Sequence, residues 1–273
     1  MFQSQEIGVL ALGLIIAGVV SGLTAGMLGV GGGIVVVPVL YHVLSLIGVD
    51  ESVRMHVAIG TSLATIIPTA FSSVRAHDKK GAVDWTLLKR WAIPMLVGVA
   101  IGSALASIAR GQTLALVFAA VATPVAVHLA FGKEDRHIAS ELPQGPLGLT
   151  LPALIGGLST MMGIGGGTIG VPTMTLFGVP IHRAVGTASA FGVIISIPGA
   201  IAMAASGWSA AHLPPYSIGY VNLLGFLLIA PVSFFAAPLG AQWAHAMDRK
   251  KLRGVFAIFI AVTAARMLYD ALG

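Results

Sequence analysis

The chain has 273 residues, 56% hydrophobic and only 9% charged, with a mean hydropathy of +0.94, whereas soluble domains carry roughly 25% charged residues. One or two water-soluble cores cannot hide that much apolar surface, so the solvent for most of it is lipid. The net charge of +5 would suggest a nucleic-acid partner in a soluble chain, but nine of the fifteen Lys and Arg residues fall within 75–90 and 249–253. Such clusters read as topology signals, and no nucleic acid is expected. Zero cysteines exclude disulfides, thiolate metal sites and a cysteine nucleophile.

With about 20 residues as the length of a membrane span, ten apolar stretches are predicted as helices: 7–28, 34–48, 55–74, 91–109, 112–131, 147–162, 168–178, 183–205, 218–240 and 254–269. The first has no basic residue ahead of it and no Ala-x-Ala end, so it reads as a retained membrane helix and not a cleaved leader. At 1.5 Å per residue the second and seventh reach roughly 22 and 16 Å, against about 30 Å of hydrocarbon. Each directly follows a glycine cluster, which points to broken or re-entrant helices. The polar stretch 132–146, GKEDRHIASELPQGP, reads as a linker between residues 1–131 and 147–273.

These two parts match. GLTAGMLGVGGGIVVVP (22–38) aligns without a gap with GGLSTMMGIGGGTIGVP (156–172), and HVAIGTSLA from His56 matches HRAVGTASA from His182. In the first part the basic residues Arg75, Lys79, Lys80, Lys89 and Arg90 follow the third stretch; in the second, 206–217 has none and Arg249, Lys250, Lys251 and Arg253 come one loop later. By the positive-inside rule the parts then sit in opposite orientations. The expected fold is an all-α polytopic membrane protein of two inverted-topology repeats. Both termini are expected outside and the linker in the cytoplasm.

The glycine motifs, the Gly-Thr motifs and the basic loop between them resemble the TauE/SafE sulfite-exporter family, also called the toluene sulfonate uptake permeases. The resemblance covers nearly the whole chain. It implies a secondary carrier of the bacterial inner membrane for small anions, such as sulfite or other sulfur oxyanions and organosulfonates. One departure is that GTSLA of the first copy is GTASA in the second, so Ser62 has no same-place partner and Ser189 is the nearest hydroxyl.

Runs of glycine cost up to about 1 kcal/mol per residue in a helix, and unsatisfied backbone in lipid costs several more. Anion binding offsets that cost if each unwound run opens a helix whose free N–H groups face the solute. The candidate binding residues are therefore Gly29, Gly31, Gly32 and Gly33 in the first copy and Gly163, Gly165, Gly166, Gly167 and Thr168 in the second. The hydroxyls of Thr61, Ser62, Thr187 and Ser189 add candidate donors, although such residues also serve helix packing. Arg183 is either an anion attractor or a snorkelling interfacial residue. His56 and His182 are candidates for a proton or gating role, with helix capping as the competing reading.

None of the ten Asp and Glu residues lies well inside an apolar stretch, which argues against a carboxylate proton relay. Moving one negative charge outward gains about 2.3 kcal/mol per 100 mV, so export needs no coupling ion. No phosphate loop, HExxH or Gly-x-Ser-x-Gly elbow is present, so an enzyme is not expected, nor a cofactor or metal. An anion channel, an importer of another organic anion and a scaffolding membrane subunit are the alternatives. Gly98 and Gly102 form a GxxxG pair that packs helices within a protomer or between two in a homodimer.

Overall fold

The computed structural model describes residues 4–131, 138–139, 141–246 and 249–272. Residues 132–137 and 140, part of the sequence-predicted linker 132–146, lie outside them. Ten helices follow in order: α1 (Ser4–Leu28), α2 (Gly33–Leu46), α3 (Glu51–Asp78), α4 (Trp85–Ile108), α5 (Gly111–Phe131), α6 (Gly145–Met162), α7 (Gly167–Leu176), α8 (Ile181–Ser206), α9 (Leu223–Ala246) and α10 (Arg249–Leu272). Seven of the described helices contain a segment long and apolar enough to cross a membrane. Their outward faces carry large apolar side chains, among them Ile93, Leu227 and Phe235, as a lipid-facing surface requires. The chain is an all-α, multi-pass membrane protein.

Every predicted stretch falls on a helix, and the departures lie at the boundaries, among them α9 running on to Ala246 where 240 was expected. The α4 helix begins at Trp85, ahead of its apolar run, because the Asp84 carboxylate accepts the Leu87 N–H at 3.0 Å and so caps a polar first turn. The ninth stretch, expected from 218, becomes helical only at Leu223. Before it, β1 (Ser217–Ile218) and β2 (Val221–Asn222) pair antiparallel, Ser217 opposite Asn222.

The helices of the two parts interleave. Along α1, Gly18, Gly22 and Gly26 meet Ile229, Ser233 and Ala237 of α9 in turn, so the two run parallel. Along α4, Met95, Gly98 and Gly102 meet Gly156, Ala153 and Gly157 of α6, again parallel. The GxxxG pair of α4 is thus used inside the protomer. These contacts need glycine: a Cβ on Gly26 would lie 1.9 Å from the Ala237 carbonyl oxygen. At the centre α3 and α8 pack antiparallel, with Leu63 against Gly199, Ala70 against Gly192 and Ser73 bonded to Ser189. The α5 and α10 helices pack on each other. Exchanging α1–α5 for α6–α10 reproduces the main pairings, α1–α9 with α4–α6 and α3–α9 with α4–α8, whereas α3–α5 and α5–α6 have no counterpart of similar extent.

Helix directions follow from the same contacts. Thr61 and Thr69 of α3 bond Asn222 and Ser233 at successive depths, so α3 and α9 run the same way. The ends of α3 and α9, and with them the starts of α4 and α10 that carry Lys89, Arg90 and Arg249–Arg253, therefore lie at one end of the bundle. The α2–α3 turn, the α4–α5 turn and the 207–222 segment lie at the other. Meanwhile α2 runs back along α1, since Gly32 packs on Ser21 while Leu40 reaches Gly225 at the start of α9. With 14 and 10 residues, α2 and α7 reach about 21 and 15 Å, so each starts deep in the bundle and returns toward the end its preceding helix came from.

Candidate functional site

The two helix breaks meet. Gly32 and Gly166 stand just before α2 and α7 with φ of 77° and 80°, a left-handed conformation that glycine adopts without the steric cost a Cβ brings. Gly31 and Gly165 touch: a Cβ on either would lie 2.9 Å from the Cα of the other, and the Gly165 N–H donates to the Val30 carbonyl at 3.3 Å. The starts of the helices then cross over. Gly33 abuts the Gly163 carbonyl and Gly167 the Gly29 carbonyl. All of 29–36 and 162–168 is buried.

Helix starts leave amides without an intrahelical acceptor. In α2 the first bonds are those of the Val35 and Val36 N–H groups to the Gly32 carbonyl, which leaves Gly33 and Ile34 unserved within the helix. In α7 the Gly170 N–H bonds the Gly166 carbonyl at 2.7 Å, which leaves Gly167, Thr168 and Ile169. These amides and the partial positive charge of each helix start face the crossing at the bundle centre. Thr168 adds a hydroxyl, 2% exposed, with no hydrogen-bond partner.

The Gly-Thr hydroxyls are placed differently from one another. The Thr61 hydroxyl accepts the Asn222 N–H at 2.8 Å, and the Thr187 hydroxyl accepts the Asp84 N–H at 2.9 Å. Asn222 and Asp84 are themselves matched: their side chains accept the amides of Gly225 and Leu87, each three residues on. Each threonine thus holds the start of a helix belonging to the other part of the chain. Ser62 reaches the break itself, donating to the Gly163 carbonyl at 2.7 Å. Ser189 bonds Val185 O at 3.1 Å and the Ser73 hydroxyl at 3.0 Å, beside Gly29.

Arg183 lies at the basic end, its side chain 58% exposed, and pairs with Asp84 at 2.9 Å. The matched histidines diverge. His56 is buried, with Nε2 at 3.0 Å from the Ala109 carbonyl and its ring tilted on Tyr220 at 4.8 Å. His182 is half-buried at the opposite end. Sequence reasoning missed Asp84 and Asn222, although each precedes an apolar run where an N-cap is expected. It also missed Ser21, whose hydroxyl donates to the Gly32 carbonyl at 3.2 Å. Among the described residues no group of three or more His, Cys, Asp or Glu is arranged to hold a metal ion.

Comparison with known proteins decides the family. The sequence pattern of the family described as sulfite exporter TauE/SafE matches residues 14–267. The chain belongs to this family. Among its relatives, a "Probable membrane transporter protein" of Haemophilus influenzae is 33% identical across 93% of this chain and 96% of its own length. "Probable membrane transporter protein YunE" of Bacillus subtilis is 27% identical across 95% and 97%, and "Probable membrane transporter protein MJ0441" of Methanocaldococcus jannaschii 24% across 93% and 94%. No solved structure matches this TauE/SafE protein.

Proposed function

We propose that this TauE/SafE protein is a secondary transporter that moves a small oxyanion, such as sulfite or an organosulfonate, across the bacterial inner membrane. The observation that carries the reading is the crossing of two broken helices at Gly31 and Gly165, where helix-start amides and hydroxyls are gathered in the absence of a cationic side chain. Such a site offers hydrogen bonds and partial charge to an anion and leaves it free to depart. The family described as a sulfite exporter supports the sulfur-oxyanion class. The membrane potential supports the outward direction, at about 2.3 kcal/mol per charge per 100 mV.

Residues 1–131 and 147–273 act as the two inverted repeats, joined by a cytoplasmic linker at 132–146. Support comes from the antiparallel packing of the matched helices α3 and α8, which a two-fold axis along the membrane normal would not produce. Alternating access then has a concrete form. At the basic end, Thr187 and Arg183 of α8 hold Asp84. At the other end, Thr61 of α3 holds Asn222. These two sets of contacts serve as the gates that transport opens in turn. In this arrangement Thr61 and Thr187 serve gating, Ser62 and Ser189 brace the breaks through their own hydrogen bonds, and the solute sits at the helix start that the breaks expose.

Reconstituted into proteoliposomes, the protein should show saturable sulfite or methanesulfonate efflux stimulated by the same anion on the opposite side. Unitary currents would make it a channel, and absence of any anion flux would leave it a non-transporting membrane subunit.

A further inference from the structure

The two copies of the site share a backbone but differ in chemistry. Histidines aside, the buried side-chain polar atoms without a partner among the described residues are Trp91 Nε1, Ser103 Oγ, Ser159 Oγ, Thr168 Oγ1 and Ser196 Oγ. All lie on α4, α6, α7 and α8, the helices around the second break. The contact register that relates the two parts pairs Gly22 with Gly156, Thr61 with Thr187 and Asp84 with Asn222. It places Ile229, Ala241, Ala25, Ile34 and Ala70 at the equivalent positions around the first break. Hydroxyls on the first-break side are satisfied instead: Ser21 by Gly32, Ser62 by Gly163, and Thr69 by Thr65 and Ser233.

Three of these groups belong to the walls of α7's first turn. Thr168 is in it. Ser159 lies one helical turn beyond Ile155 on the same face of α6, and Ile155 flanks Gly166 and Gly170. Ser196 follows Ile195, whose side chain covers Gly166, but successive side chains on a helix face different ways, so Ser196 is not part of this wall. Trp91 stacks on Phe191, 5.7 Å between centroids, and Phe191 covers Gly170. Ser103 lies farther along α4, beyond the Gly102–Gly157 contact, and is not part of the set.

Buried polar groups are rarely left unpaired without a function or an unseen partner, and here three accumulate on one copy of a duplicated frame. On the reading that the protein carries anions, we infer that the solute is bound one-sidedly, at the start of α7, by Thr168, Ser159 and the Trp91 indole, while the α2 side is a closed structural counterpart. These donors are neutral; α6 and α7 carry no ionisable residue, and Lys89 and Arg90 next to Trp91 are exposed. A helix start supplies only about half a positive charge, and an uncompensated buried charge is costly. The site therefore takes a singly charged oxyanion and discriminates against a doubly charged one of similar size.

The test uses the full-length protein in detergent and calorimetric titration with methanesulfonate, singly charged, and sulfate, doubly charged. Wild type should bind methanesulfonate at least about tenfold more tightly than sulfate. Thr168→Val, Ser159→Ala and Trp91→Phe should each weaken methanesulfonate binding by about tenfold, the scale of one hydrogen bond to a charged group. Thr69→Val, on the α2 side, should leave it within about twofold. Melting of each variant without ligand separates misfolding from lost contact. The inference is overturned if folded α7-side variants bind as wild type, if Thr69→Val loses as much as they do, or if sulfate binds equally well. Failure of wild type to bind or transport any anion would instead overturn the transport reading on which the inference rests.

Discussion

Thr61 and Thr187 illustrate what a single residue reveals in sequence and what it conceals. Their duplication in Gly-Thr motifs was legible, and so was a polar role in an apolar helix. What each hydroxyl faces was not, because the bonded amides of Asn222 and Asp84 lie more than a hundred residues away along the chain, beyond any local pattern. Removing such an acceptor leaves a buried N–H unpaired, at about 1–3 kcal/mol. Thr187→Val should therefore lower stability by that amount in thermal unfolding, whereas a threonine that only contacted the solute would melt unchanged without ligand. A second residue-scale expectation concerns Asp50, the N-cap of α3. Hydrogen bonds from the Ser52 hydroxyl and amide hold its carboxyl below the ordinary value of 3.8. A depressed folded-state value means the stabilisation is complete above the ordinary value and is lost as pH falls through the folded one. Melting points taken from neutral pH down to about pH 3 should fall less steeply in Asp50→Ala than in wild type. An equal acid slope would show that the cap contributes nothing.

At the scale of elements, the short helices α2 and α7 were legible as broken because glycine clusters precede them and their length falls short of a span. That they turn back, and that the breaks touch, was not legible: the contact of Gly31 with Gly165 joins the two copies, and neither copy alone encodes it. The packing has a direct consequence for substitution. A methyl on Gly165 would meet the Cα of Gly31 at 2.9 Å, backbone against backbone, with no flexible side chain to give way. Gly165→Ala should cost about 1–3 kcal/mol or more as an overpacking change. Gly254→Ala in α10, where nothing lies within 4 Å, should be neutral or stabilise by up to about 1 kcal/mol. Thermal unfolding of the pair in one detergent checks both, and equal melting points would remove the crossing as a packing constraint. Loss of transport in Gly165→Ala is therefore not by itself a sign of lost anion contact.

For the whole molecule, lipid made the helix inventory legible, since each span must be a long apolar run. The partners of those runs were hidden: every face is apolar, so periodicity does not say which helix meets which. Directions in the bundle put the end of α3 and the end of α9 at one end, in agreement with the placement of basic residues. Single cysteines introduced by Lys80→Cys and Lys250→Cys should both be labelled by an impermeant thiol reagent only from the cytoplasmic side, and Ser209→Cys only from outside. Labelling of Lys80→Cys and Lys250→Cys from opposite sides would defeat the inverted arrangement. The interleaving also sets an order of assembly. The glycine face of α1, at Gly18, Gly22 and Gly26, is matched only by α9, which the ribosome completes about 200 residues later. At 5–20 residues per second that is a wait of roughly 10–40 s. During that time α1 must rest against lipid or an insertion factor, and a chain truncated before α9 leaves its first helix without the neighbour it was shaped for.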